Sequence, residues 1–283
     1  MKNKWRILKI LTTVAIFGFL LSFSLKRFNQ GPMKNVTIRL IESKGKEEVY
    51  FIDEKKVKDF IINENPSNRI GALDIPSLEK EVNRFPSVDS ANVYLNLNGS
   101  LNIDIVQKVP AFRLSRGDEN FYVDYKGTEF PISKYYSHPT MLVMGDVKRN
   151  EYLDLVNLVD IISKDAFNKK YFIGIKKVKN SYSLLTSEGN FELEIGDLDN
   201  IEFKIKGFKT FAEKFLVYQS PQKYSKISVR FDNQIVTTLN PNFKENDSII
   251  SVRMKEYEKA PEIQRKKALA NANQRNKEII NTN

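Results

Sequence analysis

Cysteine is absent from this chain of 283 residues. That excludes a disulfide framework and any thiolate nucleophile or thiolate metal ligand. Histidine occurs once, as His138, so neither a histidine-rich metal site nor a Ser-His-Asp triad is easily assembled. No glycine-rich loop runs into Lys-Ser or Lys-Thr, which leaves phosphate cradling without a candidate. A basic body is missing as well, despite a net charge of +10. Residues 1–35 carry seven Lys/Arg and no acid, residues 240–283 carry nine against six, and residues 36–239 balance at 29 against 29. The positive charge lies at the ends, so the body lacks the electrostatic footprint of a nucleic-acid binder.

One long apolar run is present. Ile10 to Leu25 contains no charge, and Trp5, Ile7 and Leu8 extend it toward the roughly 20 residues that span a bilayer. Arg6 and Lys9 sit where they can snorkel to headgroups. The run reads as an uncleaved signal anchor, with a cytoplasmic stub and anchor over 1–27 and a linker over 28–35. The very short N-terminal side favours a cytoplasmic N-terminus and outer C-terminal domains. A cleaved signal peptide would need the poor small-residue site at Ser22-Phe-Ser24.

The body is organised around Val93 to Val106. Val93, Leu95 and Leu97 alternate with polar residues, and Leu101, Ile103 and Ile105 do so after Asn98-Gly99, the period of half-buried strands. An odd loop, Asn98-Gly99-Ser100, is expected to set Val93 opposite Ile105, Leu95 opposite Ile103 and Leu97 opposite Leu101. Upstream, Val36, Ile38 and Leu40 mark a strand. Asp53 caps a helix with Val57, Phe60 and Ile61 on one face. A second helix begins near Asp74 and presents Leu78, Val82 and Phe85. The order strand, helix, helix, strand, strand completes a small α+β domain over 36–110.

A second domain over 111–239 is expected to be mainly antiparallel, with flanking helices. Hairpin strands surround Gly127, Met141–Met144 is a short strand, and a helix runs through Tyr152, Val156, Val159 and Ile162. Three strands follow between Tyr171 and Ile195. Phe208, Phe211, Ala212 and Phe215 face the core from a further helix. Ile227–Phe231 and Gln234–Leu239 form the last hairpin around Asp232-Asn233. Residues 240–283 are polar and read as a solvated, disordered tail, with Pro261 as the one helix start.

Sites for chemistry are few. His138, in the turn-like Tyr136-Ser-His-Pro139, reads as structural. Glu192 and Glu194 alternate with Leu193 and Ile195 as a strand's wet face, and Asp197 and Asp199 fall in the turn beyond. No catalytic residue, cofactor or metal is expected. The binding feature is the last strand. Asn240-Pro241 ends it, and no charge lies between Asp232 and Lys244 to block its edge. A partner strand pairing there would meet Gln234, Ile235, Val236, Thr237 and Leu239, with Arg230, Phe231 and Asn233 at the rim.

Several strings together carry a resemblance. They are Val93-Tyr-Leu-Asn-Leu-Asn-Gly-Ser-Leu-Asn-Ile, Gln107-Lys-Val-Pro-Ala-Phe-Arg113, Phe121-Tyr-Val-Asp-Tyr-Lys-Gly-Thr-Glu-Phe-Pro131 and Ile227-Ser-Val-Arg-Phe-Asp232. In this order, after a basic N-terminus and a single anchor, they resemble the FtsQ/DivIB family of bacterial division proteins over about residues 1–239. The resemblance implies a POTRA domain over 36–110 followed by a β domain. It also implies a single-pass inner-membrane protein with periplasmic domains, which recruits FtsB/FtsL-like partners and other divisome components to the septum by strand addition. Leu239 stands where relatives often carry tryptophan, and the resemblance is silent on 240–283. Two other functions are weighed against it. One is a POTRA-type scaffold of another envelope assembly, separated by whether depletion causes filamentation or export failure. The other is an anchored cell-wall hydrolase, which would have to turn over peptidoglycan.

Overall fold

The computed structural model describes residues 2–42, 49–189, 191–231, 233–259, 261 and 264. Asp232 and nearly all of the segment beyond Pro261 lie outside the described residues. The chain divides into two compact units, Met1–Ala111 with Asn120–Thr140, and Phe112–Glu119 with Met141–Asn283.

The first unit opens with helix α1 (Lys2–Gln30), 29 residues long and therefore ~43 Å at 1.5 Å per residue. Its apolar side chains face outward, Phe17 and Phe19 each being 71% exposed. Length and composition suffice to cross a membrane. Strand β1 (Val36–Ile41), helices α2 (Glu54–Glu64) and α3 (Ile75–Asn83), and strands β2 (Val88–Leu95) and β3 (Leu101–Gln107) follow. Both helices start where the spacing of capping residues predicts. The Asp53 carboxylate accepts from the N–H of Lys55 and Lys56, and that of Asp74 accepts from Ser77. The sheet order is β1-β3-β2, with β1 parallel and β2 antiparallel to β3. Val57, Ile61, Leu78 and Val82 from the helices pack on Val93, Leu101, Ile103 and Ile105.

The hairpin differs in register from the expected one. Val93 pairs with Ile103 and Leu95 with Leu101, while Leu97 is 94% exposed in the turn. The parity is as expected, so the same face is apolar, but the loop runs from Asn96 to Ser100. Two things hold it there. The Asn96 N–H donates to Ser100 O and Ser100 N–H to Asn98 Oδ1, with Gly99 at φ +86°. In addition, Leu101 N–H bonds Asn35 O, so pairing to β1 sets where β3 begins.

Strand β4 (Pro110–Arg116) enters the second unit at Phe112, and β5 (Glu119–Asp124) and β6 (Glu129–Pro131) form a hairpin counted from Asn120 with the first. In the first unit Phe51 meets Tyr122 and Phe130 edge-on, each at 5.4 Å. The second unit continues with β7 (Met141–Met144), α4 (Tyr152–Lys164), α5 (Ala166–Tyr171), β8 (Phe172–Val178), β9 (Ser181–Thr186), β10 (Glu192–Gly196), α6 (Ile201–Lys214), β11 (Tyr224–Phe231) and β12 (Gln234–Leu239). Its strands run in the order β12-β11-β10-β9-β8-β7-β4. The α+β class stands, and the sheet is mixed: β4/β7, β7/β8 and β10/β11 are parallel neighbours, while β8/β9, β9/β10 and β11/β12 are antiparallel.

Two expectations for this unit need correction. On α6 the buried side chains are Ile201, Lys204, Ile205, Phe208 and Ala212, whereas Phe215 is 55% exposed. Lys204 turns inward because its ammonium reaches Asp197, at 2.6 Å from Oδ1 and 3.0 Å from the carbonyl. The polar segment after Leu239 is also not wholly irregular. It forms a turn, a short 3₁₀ helix at Lys244–Asn246 and an exposed helix over 247–259.

Candidate functional site

β12 stands at the end of the strand order. Among the described residues no strand pairs with its outer side. Its inner side pairs with β11 through Tyr224↔Leu239, Lys226↔Thr238, Ile227↔Thr237 and Ser228↔Val236, with irregularities near both ends. Exposure alternates along the strand. Gln234, Val236 and Thr238 are exposed, and Ile235, Thr237 and Leu239 are half-buried. The strand is thus short, uncharged and half apolar, the condition in which an edge templates another strand.

The far end of β12 is latched. Asn240 N–H donates to Lys223 O at 2.9 Å and its side chain to Gln222 O at 3.0 Å. Asn246 is fully buried, and its amide donates to Lys223 O at 2.8 Å and Asn240 O at 2.9 Å. These bonds hold the 240–246 turn against the end of β11. They rest on side chains that a reading by hydrophobic periodicity passes over.

At the near end, Arg230 and Phe231 finish β11 and are exposed, with the guanidinium 5.1 Å over the Phe231 ring. Asn233 occupies the turn at φ +56°, a left-handed value that Asn tolerates. Beneath them lies Glu194 of β10, 3.1 Å from the Lys226 ammonium and 3.9 Å from Arg230. Burial alone would raise the Glu194 carboxyl, but the Lys226 bond and the two cations outweigh it and hold it below its ordinary value. Gly196 is required here: a Cβ would stand 2.9 Å from Arg230 Cβ, and φ is +74°. The predicted residues Arg230, Phe231, Asn233, Gln234, Ile235, Val236, Thr237 and Leu239 all fall on this one hairpin. Gly196 and Asn246 shape it and were not foreseen, and Asn240, expected to end the strand, also latches it.

Of the residues considered for chemistry, Glu194 lies beneath this hairpin, paired with Lys226, and the others below are engaged too. His138 is buried, its Nδ1 3.1 Å from Tyr136 Oη, and its backbone N–H donates to Tyr122 Oη. Glu192 pairs with Lys176 at 2.9 Å and Asp197 with Lys204 at 2.6 Å. A groove of about 1120 Å³ between α4 and α6 is lined by paired charges, Lys164 with Asp160 along α4 and Lys209 of α6 with Asp165 across it. Among the described residues no group of three or more His, Asp or Glu side chains could hold a metal ion.

One N-terminal apolar helix, a β-α-α-β-β unit and a mixed-sheet unit ending in an open edge define a class of α+β protein carried on a single helix. Residues 109–238 match the family described as FtsQ/DivIB, C-terminal related. A curated relative, the cell division protein FtsQ of Novosphingobium aromaticivorans, is 32% identical over 112 residues. The match covers 38% of this chain, and the chain spans about a third, 34%, of that relative's length.

Proposed function

We propose that this chain is a membrane-anchored assembly protein of the bacterial division machinery, and that β12 is its docking edge. The observation that carries the edge is β12 itself: a terminal strand without a charged residue, whose outer backbone groups have no strand partner among the described residues. The family match over 109–238 and the name of the relative support the division role. A partner strand, from an FtsB/FtsL-like single-span protein, adds to β12 and takes its register from main-chain hydrogen bonds. Val236 and Thr238 on one face, with Phe231 and Arg230 at the rim, select it. The protein works by assembly rather than catalysis, with α1 in the inner membrane, the N-terminus cytoplasmic and both units periplasmic at the septum.

A photo-crosslinking amino acid placed at Val236 in living cells tests this, with one at exposed Phe203 on α6 as the reference site. The expected product is an adduct to a small single-span division protein from position 236 and none from 203. Equal adducts from both positions, or a partner from an unrelated assembly, would overturn the reading.

A further inference from the structure

The geometry points to the turn Asn96–Ser100 as a second membrane contact of the first unit, in which Leu97 enters the headgroup layer of an anionic bilayer while Lys34 and Arg69 bind lipid phosphates. The proposal rests on α1 crossing the membrane. It starts from Leu97, which at 94% exposure is the most exposed large apolar side chain outside α1 among the described residues. An exposed Leu alone means little. Its place in the fold gives it meaning.

The end of α1 is bonded to the unit rather than loosely joined. Gly31 N–H closes the last turn on Phe28 O, and Ile70 N–H donates to Gly31 O at 3.0 Å. Met33 N–H reaches Asn68 O at 2.9 Å, Lys34 N–H reaches Gly99 O at 2.9 Å, and Pro32 bridges Arg69. Gly71 lies so close that a Cβ there would stand 2.9 Å from Asn29. The loop 65–72 and the turn 96–100 are therefore fixed at the helix exit. From Leu25, the last residue of the uncharged run, to Gly31 the helix rises ~9 Å. The headgroup layer is ~5–8 Å deep on each side of the hydrocarbon, so the two loops stand at its outer margin. Gly99 packs near Lys34 Cγ, at 3.7 Å from the site of a Cβ, which puts Leu97 two residues from that contact.

Charge complements this placement. Segments 26–34, 65–72 and 96–100 contain Lys26, Arg27, Lys34 and Arg69 and no acid, and all four cations are exposed. Cations beside an anionic surface within a Debye length are held there. An apolar tip with a basic rim is the pattern of an interfacial contact.

The natural absence of cysteine makes the test clean, since single-cysteine chains can be labelled at will. Full-length Phe19→Cys, Leu97→Cys and Ile41→Cys carry an environment-sensitive fluorophore and are reconstituted in phosphatidylglycerol/phosphatidylethanolamine vesicles. A fraction of the lipid bears a nitroxide, on the headgroup in one set of vesicles and high on the acyl chain in another, and quenching by either is scored. Phe19 lies within α1, and Ile41 at the far end of β1 is the reference. Quenching at 19 and 97 but not at 41 is the expected result. Quenching at 19 with none at 97 overturns the contact and leaves the anchor intact, whereas none at 19 overturns the anchor itself. Quenching at 97 that persists unchanged in the Lys34→Glu/Arg69→Glu chain overturns the ionic part.

Discussion

A buried cation shows how single residues set the pH response of the second unit. Lys177, with a side chain 5% exposed, lies 2.6 Å from Glu151 Oε2 and 5.5 Å from the Tyr182 ring centroid. Burial would raise the Glu151 carboxyl, but bonds from Lys177 and the Lys148 N–H hold it below its ordinary value. A depressed carboxylate stabilises the fold above its unfolded value, about 4.3, and loses that contribution as pH falls toward the folded one. Acid should thus weaken this unit below about pH 4.5. Lys177→Met removes the partner and should cost about 3 kcal/mol at pH 7. The loss in acid should also shrink, because the Lys177 bond that helps hold the Glu151 carboxyl down is gone while the Lys148 N–H bond remains. Denaturant melts of the purified protein across pH would show whether the slope flattens. Gly196 acts as locally: Gly196→Ala should cost about 1 kcal/mol or more for the left-handed backbone and should displace Arg230. A melting temperature and a crosslinking yield at Val236 both equal to wild type would contradict this.

Whole elements are legible where the signal is local. Asp53 and Asp74 announced both helices of the first unit because a cap needs only its own next turn. Strand periodicity likewise gave the apolar face of β2 and β3, but it fixes parity and not register. The two-residue slip was decided by Asn35, which belongs to the connection before β1. Leu97→Asp should therefore leave the melting temperature in detergent within error of wild type. Leu101→Asp, at a position 0% exposed, should cost several kcal/mol; equal losses from the two would restore the three-residue loop. Strand order was not legible, because alternation does not say which neighbour is parallel. Lys204 was missed for a related reason. Its partner Asp197 lies outside α6, so only the fold reveals why a lysine occupies a core position and Phe215 does not. At the candidate site, the edge strand could be read from its position and lack of charge. Gly196 and the Asn246 latch depend on contacts between distant segments and could not.

At the scale of the molecule, the proposed function would have α1 confine the edge to the layer in which a membrane-anchored partner also moves. Tethering of both would raise their effective concentration, so that a short strand contact would suffice. The backbone pattern of β12 makes the docking reading sharp. Asn240 N–H points to β11, toward Lys223 O. Donors alternate along a strand, so Thr238 and Val236 also donate inward, while Leu239, Thr237 and Ile235 donate to the open side. Proline removes one donor and is tolerated in an edge strand where that donor faces solvent. Thr237→Pro should accordingly leave the melting temperature of the purified protein within a few degrees of wild type and abolish co-purification of the single-span partner. Val236→Pro cuts a bond to β11 and should lower the melting temperature as well, by the several degrees that ~1–2 kcal/mol represents. Co-purification at wild-type strength with a folded Thr237→Pro chain would remove β12 as the docking edge. A Val236→Pro chain as stable as Thr237→Pro would instead show that the inward and outward donors are exchanged.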